Sequence, residues 1–385
     1  MNQKAICIIG MHRSGTSIIS RAVNLLGAYL GEEKDLMTPG PDNPEGFWER
    51  QDIADLDDKI LSFYKKNWDT LLPQPEGWHR SQDLAPLRAE VKGLLATHFS
   101  GKPLWAWKDP RTTFVFEIWK EAVAALGAEL ACIFVVRNPL DVARSHQKRD
   151  GFSLEKGFGV WFNYNLAALR STAGVKRAFI SYDRFLADWL FELKRCAAEL
   201  GVAWPADDAE LKARMGEFIK PGLRHSQSGL NELKESGAPR PVIELHSLLE
   251  DALLPGFAPD ESFNERLSAL ATEHNEYAAM FRSDMEALWE HRRTVPALNA
   301  QIHALNQEKA RIIEEMNRQI EDRNRQIEDR NRQIEDKDRQ LENKDREIEG
   351  RERQIKEKDR QIELLLNSMS WKITAPLRRA VKILK

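Results

Sequence analysis

Between residues 317 and 365 one seven-residue unit recurs seven times, as NRQIEDR, NRQIEDR, NRQIEDK, DRQLENK, DREIEGR, ERQIKEK and DRQIELL. A period of seven spans about two turns of helix, and this stretch is too polar to close a core of its own. Wholly helical, it is a rod of roughly 70 Å. Each unit has one dependable apolar residue (Ile320, Ile327, Ile334, Leu341, Ile348, Ile355, Ile362), where a stable coiled coil uses two. Glu stands four positions before Arg in successive units, as in Glu321/Arg325 and Glu349/Arg353. That orientation supports a helix by about 0.2–0.5 kcal/mol per pair. Two readings stay open: a weak homo-oligomeric coiled coil nucleated by residues 298–316, and a single extended helix acting as a spacer. Gly350 is a soft point in either.

The rod divides the chain electrically. The 385 residues carry a formal net charge of −3, but residues 1–296 hold 36 Lys/Arg against 42 Asp/Glu, and residues 297–385 hold 21 against 18. An acidic first part excludes a general phosphodiester-binding surface, so no nucleic-acid partner is expected. A local basic pocket is still allowed. Residues 366–385 carry five basic residues and no acid. Thr374 and Pro376 suit a helix start there, and Leu377, Ala380, Val381 and Leu384 fall on one face with Arg378, Arg379 and Lys382 around it. Such a helix suits a membrane surface, with Trp371 as an interfacial anchor, or docking back on the domain.

Cys7, Cys132 and Cys196 are an odd set without close spacing, which suits buried thiols in a reducing compartment and indicates neither a disulfide framework nor a metal site. No apolar run reaches the length of a membrane span, and the one at the N-terminus is too short for a secretion signal. A cytoplasmic protein is expected, peripheral to the inner face of the membrane if the tail binds there.

Lys4–Gly10 is a β-branched apolar run broken by a glycine, and Ile18, Ile19, Ala22, Val23 and Leu26 then follow at helical spacing. Strand-like runs recur at Pro103–Lys108, Leu130–Arg137 and Ala178–Tyr182, with helical periods over Val115–Leu126 and Leu190–Leu200 between or after them. Strands alternating with helices predict an α/β fold, a P-loop-type parallel sheet flanked by helices, followed by a long C-terminal helix or coiled coil. The expected organisation is a domain over residues 1–290, a linker at 291–297, the rod at 298–365 and the tail at 366–385. Ligands of such sheets bind outside the carboxyl ends of the strands.

The loop Gly10-Met11-His12-Arg13-Ser14-Gly15-Thr16-Ser17 joins the first strand to the first helix. Its glycines let backbone N–H groups converge on an anion, the helix start adds its positive end, and the hydroxyls add donors. The glycine spacing matches a Walker A loop, but Thr16-Ser17 stands where an ATPase needs Lys followed by Ser or Thr. The absence of that lysine argues against ordinary ATP or GTP hydrolysis. At the end of the third strand, Arg137 leaves the sheet, Pro139 turns the chain into a helix, and Ser145 can return near Arg137. Arginine with a hydroxyl suits a phosphate monoester, although the commoner role of an arginine like Arg137 taken alone is a surface ion pair.

These two features, in this order, resemble the sulfotransferase family, whose members use 3′-phosphoadenosine-5′-phosphosulfate as sulfuryl donor. The first loop resembles the family's 5′-phosphosulfate loop in the R-S-G-T-S form of bacterial and tyrosylprotein-type members, and Arg137…Ser145 resembles its 3′-phosphate motif. Trp107-Lys108-Asp109-Pro110-Arg111 is similar to the K-D-P element, and Ser181-Tyr182-Asp183-Arg184-Phe185 to the Y-E-x-L element, with Asp183 replacing Glu. Asn43-Pro44-Glu45-Gly46-Phe47-Trp48-Glu49 is similar to a further segment of bacterial members. The resemblance spans roughly residues 4–230.

The resemblance implies that Arg13, Ser14, Gly15, Thr16 and Ser17 hold the 5′-phosphosulfate, while Arg137 and Ser145, with Arg224 as a later contact, hold the 3′-phosphate. No metal is expected. Arg13 stands where many members place Lys, so Arg13 and Lys108 are the candidate cations for the leaving oxygen. Asp109 is the natural structural partner for Lys108. Glu49 is the favoured catalytic base for the acceptor hydroxyl, with Glu45, His12 and His225 as rivals. Eleven tryptophans, several of them grouped between Trp48 and Trp107, suit core packing better than a sugar platform. The terminal SMSWKITAPLR resembles a tail on bacterial enzymes of surface-polysaccharide assembly, which implies a glycan or lipid-linked glycan acceptor. A P-loop kinase of a small molecule or sugar, and a non-catalytic scaffold built on the rod, are the alternatives.

Overall fold

A computed structural model describes residues 3–38, 40, 46–204, 208–219 and 228–383. Four strands, β1 (Lys4–Ile9), β2 (Leu104–Lys108), β3 (Glu129–Val136) and β4 (Lys176–Ser181), form one sheet in the order β2-β1-β3-β4 with every pairing parallel. The register sets Ile6 beside Ala106, Cys7 beside Cys132 and Phe134 beside Phe179. Parallel neighbours need crossovers, and helices supply them. Between β1 and β2 run α1 (Thr16–Leu25), α2 (Gln51–Phe63) and α3 (Ala85–Phe99); α4 (Thr112–Ala125) joins β2 to β3; α5 (Pro139–Asp150) and α6 (Leu154–Ser171) join β3 to β4.

Side chains alternate across the strands, and both faces are apolar because both are covered. Ala5, Cys7, Ile9, Trp105, Trp107, Cys132 and Phe134 pack under α2 to α6. Ile6, Ile8, Ala106, Ile133, Val135 and Ile180 pack under α1 and the helices after β4: α7 (Tyr182–Ala187), α8 (Trp189–Leu200) and α9 (Asp208–Phe218). The three cysteines are buried and unpaired. Trp105, Trp107 and Trp119 are buried in a run with ring centroids 5.5 and 5.8 Å apart, so these indoles belong to the core.

Two shorter helices, α10 (Leu230–Glu235) and α11 (Arg240–Ala252), precede α12 (Glu261–Asn367), which has 107 residues and Pro296 in its interior. Residues 291–297 are helical within it. By contacts the chain divides into two units, 1–294 and 295–385. Phe263, Leu270, Ala271 and Ala278, at the start of α12, are buried in the first unit. In the second unit the rod continues to Asn367, followed by α13 (Met369–Ile373) and α14 (Ala375–Ile383). Among the described residues no helix is long and apolar enough to cross a membrane.

The strand order places the site. β1 connects leftward to β2, whereas β3 connects rightward to β4, so the direction of winding reverses between β1 and β3. The crevice beyond their carboxyl ends is where an open α/β sheet accepts a ligand.

Candidate active site

The loop after β1 turns into α1 through two left-handed residues, Arg13 at φ 66° and Gly15 at φ 90°. Glycine adopts that conformation without strain; arginine does not, and must be held. Among the described residues, contacts at both its side chain and its backbone hold Arg13. Its Nε donates to Ser145 Oγ at 2.9 Å, and its carbonyl oxygen accepts from Arg137 Nη1 at 2.8 Å. Gly15 is required for a second reason. A Cβ there would lie 2.1 Å from the ring of Tyr182, the first residue of α7, so the ring is the floor of the loop. The same ring faces the Arg137 guanidinium at 4.4 Å from its centroid.

Arg13, Arg137 and Ser145 are thus brought together, with Arg13 as the link between the other two. Arg137 Nε is buried without a hydrogen-bond partner among the described residues. A buried donor of this kind fits an anionic ligand. Ser14 is buried in the loop, Thr16 is buried as the first residue of α1, and Ser17 follows it in the first turn. Asn138 caps α5 by accepting from Leu140 N, and its amide also donates to the Ser228 carbonyl at 2.8 Å. Arg224 and His225 lie outside the described residues, as does Glu45.

The second group gathers at the end of β2. Lys108 Nζ donates to Glu49 Oε1 and, at 3.3 Å, to Ser17 Oγ. Lys108 and Glu49 are both buried, at 2% and 5% exposure. Burial pushes the Glu49 carboxyl above its usual range, and the Lys108 ammonium only partly offsets that. The partner of Lys108 is therefore Glu49 rather than Asp109. Asp109 accepts instead from the backbone N–H and Nε of Arg111, at 2.8 and 2.9 Å, and Arg111 Nη1 also reaches Asp58 at 2.6 Å. Below them Asp57 is sealed from solvent and accepts from Thr112 Oγ1 and Trp119 Nε1 at 2.6 and 2.7 Å. Burial, with Asp109 nearby, raises its carboxyl well above the ordinary range.

His12 packs edge-on against Trp68 and Tyr164 with centroids 5.0 and 5.8 Å away, and its Nε2 has no hydrogen-bond partner among the described residues. Burial, then the charge of Arg111, lowers its pKa well below the ordinary histidine value. Its imidazole is the loop's own buried side chain, packed between these two rings. Tyr182, Arg111 and the α2 acids Asp57 and Asp58 take no site role in the sequence reading. For Tyr182 a signal existed, since the Ser181–Phe185 element stands at the end of the last strand-like run. Asp57 and Asp58 have none beyond a polar pair within an apolar helical period.

No group of three or more His, Cys, Asp or Glu side chains that could hold a metal occurs among the described residues. What the site offers is cations and hydroxyls around a helix start, with one buried carboxylate beside the inner lysine. That set can bind a polyanion and stabilise charge growing on it.

No family model matches the chain, and no curated protein matches it. Among solved structures it is similar to the sulfotransferase domain of a Synechococcus olefin synthase, at 16% identity and a TM-score of 0.36 over 70% of this chain and 95% of that one. It is similar also to the sulfotransferase domain from the curacin biosynthetic pathway, at 18% identity and a TM-score of 0.32 over 70% and 98% of the two chains. A third is a sulfotransferase from Mycobacterium avium, at 17% identity and a TM-score of 0.34 over 60% and 70%. The α/β architecture of this chain stands on its own sheet order and register.

Proposed function

We propose that the chain is a sulfotransferase that moves a sulfuryl group from 3′-phosphoadenosine-5′-phosphosulfate to an acceptor hydroxyl. The observation that carries this reading is the position of Lys108, buried against Glu49 and 3.3 Å from Ser17 Oγ where α1 begins. The donor supplies an activated sulfuryl group whose bond to the 5′-phosphate oxygen breaks, leaving negative charge on that oxygen. A lysine fixed beside the helix start stabilises such charge without reorganising. Arg13, Ser14, Gly15, Thr16 and Ser17 would take the 5′ end of the nucleotide. Arg137, with its open Nε, and Ser145 would take the 3′-phosphate, the group that distinguishes this donor from ATP.

Glu49 is the proton acceptor in this reading. Its burial raises the carboxyl toward the range in which a base is effective at neutral pH, and it already touches the lysine beside which transfer would occur. For the acceptor we infer a hydroxyl of a surface glycan or its lipid-linked precursor, on the resemblance of the terminal segment alone. In that setting α13 and α14 would hold the enzyme on an anionic membrane, with Trp371 under the Arg378 guanidinium at 3.5 Å.

Ligand preference tests the donor. In thermal denaturation, 3′,5′-adenosine bisphosphate is expected to stabilise the protein well beyond ADP or ATP at equal concentration. Equal stabilisation by all three, or a preference for ATP, would favour a kinase instead.

A further inference from the structure

The rod carries two unused rows. Its apolar residues, one in every seven from Ile320 to Ile362, are each 53–58% exposed among the described residues. Beside them runs a row of cations. The ion pairs within the rod go from acids to the second residue of each unit: Arg325 to Glu321 at 4.0 Å, Arg346 to Glu342 at 3.5 Å and Arg353 to Glu349 at 3.3 Å. Arg332 and Arg339 pair likewise with Asp329 and Asp336. The last cation of each unit, from Arg323 to Lys358, makes no ion pair or side-chain hydrogen bond among the described residues.

Heptad geometry says what these rows can bind. With the isoleucines at position d, Asn317, Asn324 and Asn331 occupy a, glutamate occupies e and the unpaired cations occupy g. The other register, with isoleucine at a, would put a cation in every following d layer as far as Lys358, and burying those charges is costly. In the first register a parallel pair of helices sets each g residue against e of the partner's next unit. Arg323 then meets the partner's Glu328, Arg330 its Glu335, Lys337 its Glu342 and Lys344 its Glu349. Of the following pairs, Arg351 meets Lys356 and Lys358 meets Glu363. An antiparallel pair would instead set g against g and e against e, cation on cation and acid on acid. Asparagine at a adds to the choice, since buried amides fix register and strand number at some cost in stability. From Asp338 onward the a position is acidic, so the seam is firmest over residues 317–337 and leans on the flanking g cations beyond.

We propose that residues 317–365 bind a second copy of this chain as a parallel, in-register two-stranded coiled coil. Charge matching between g and e drives the association, because one isoleucine per unit buries little. The pairing brings two basic tails to one end of the rod, so that two weak membrane contacts act as one avid contact.

The test uses the full chain at low ionic strength. Sedimentation equilibrium is expected to give a dimer that weakens as salt rises. Cys7, Cys132 and Cys196 are buried, so a single Ile327→Cys substitution reports geometry: it should form a disulfide-linked dimer on mild oxidation. Chains carrying Ile327→Cys mixed with chains carrying Ile355→Cys should not cross-link to one another. A triple variant Arg330→Glu, Lys337→Glu, Lys344→Glu should weaken dimerisation at least tenfold while circular dichroism shows the helix retained. A monomer at every concentration, a dimer that does not cross-link at 327, or cross-links between 327 and 355 would each overturn the proposal.

Discussion

Arg137 donates through Nη1 to the carbonyl oxygen of Arg13 at 2.8 Å, tying the end of β3 to the loop after β1 across the point where the sheet reverses its winding. The contact holds Arg13 in its left-handed conformation and leaves Arg137 Nε open. Structural support and an unused donor therefore reside in one side chain.

That arrangement predicts what Arg137→Lys does. Lysine keeps the charge but loses the fork and the face laid over Tyr182. Affinity for 3′,5′-adenosine bisphosphate should fall at least tenfold in titration calorimetry, with ADP binding changed far less. Ser145→Ala should act in the same direction more weakly, since it removes one uncharged hydroxyl from the 3′-phosphate end, along with the acceptor of Arg13 Nε. Equal losses for both nucleotides would remove the 3′-phosphate role from this pair.

The Lys108–Glu49 pair separates stability from chemistry. Lys108→Ala leaves the buried Glu49 carboxylate with only the longer ion pair to Arg111 Nη2 at 4.0 Å and should cost up to about 3–5 kcal/mol in urea denaturation. The double variant Lys108→Met, Glu49→Gln buries no net charge and should regain most of that stability while remaining inactive. Recovery of transfer in the double variant would take both residues out of the reaction.

Gly15→Ala meets two obstacles, the positive φ and the Tyr182 ring. A loss of about 1–3 kcal/mol is expected, together with loss of nucleotide binding. Adding Tyr182→Ala relieves the collision only, so binding should stay impaired. Full binding by the double variant would show that the loop conformation is unimportant.

His246 on α11 is buried against Trp161, and burial lowers its pKa to about 4. Unfolded, it titrates at about 6.5. Its contribution is therefore complete above that value and is lost as pH falls toward about 4, where the folded side chain also takes the proton. Relative to wild type, His246→Leu should be about 2 kcal/mol more favourable at pH 4.5 than at pH 7. A difference independent of pH would contradict the assignment.

For the membrane proposal, deletion of residues 366–385 should release the protein from vesicles containing anionic lipid, because each basic residue near such a surface contributes about 1 kcal/mol. Transfer to a soluble acceptor should be unchanged. Undiminished co-sedimentation would place the contact elsewhere or nowhere.

Much of the fold is readable locally. The run Lys4–Gly10 ends in a glycine and meets a helical period, and β1 and α1 follow there within a residue or two. Parallel pairing follows from the alternation of strands and helices, whereas the order β2-β1-β3-β4 is written in no single segment. The approach of Ser145 to the loop after β1 is foreshadowed by its place two turns into α5, yet its partner is Arg13 rather than Arg137. Lys108 shows why the remainder is hidden. Its sequence neighbour Asp109 turns to Arg111, because successive residues at a strand end face opposite ways. Glu49 comes to the lysine only through the packing of α2 on the sheet.

The most direct measurement of the central claim is transfer of radiolabelled sulfuryl from 3′-phosphoadenosine-5′-phosphosulfate to fractionated glycan and lipid extracts, run with the wild-type chain and with the Lys108→Met, Glu49→Gln double variant. The account predicts label in a glycan-containing fraction with the wild type and none with the folded double variant. Absence of label from every fraction with a wild-type protein that binds the bisphosphate, or equal labelling by both proteins, would contradict it.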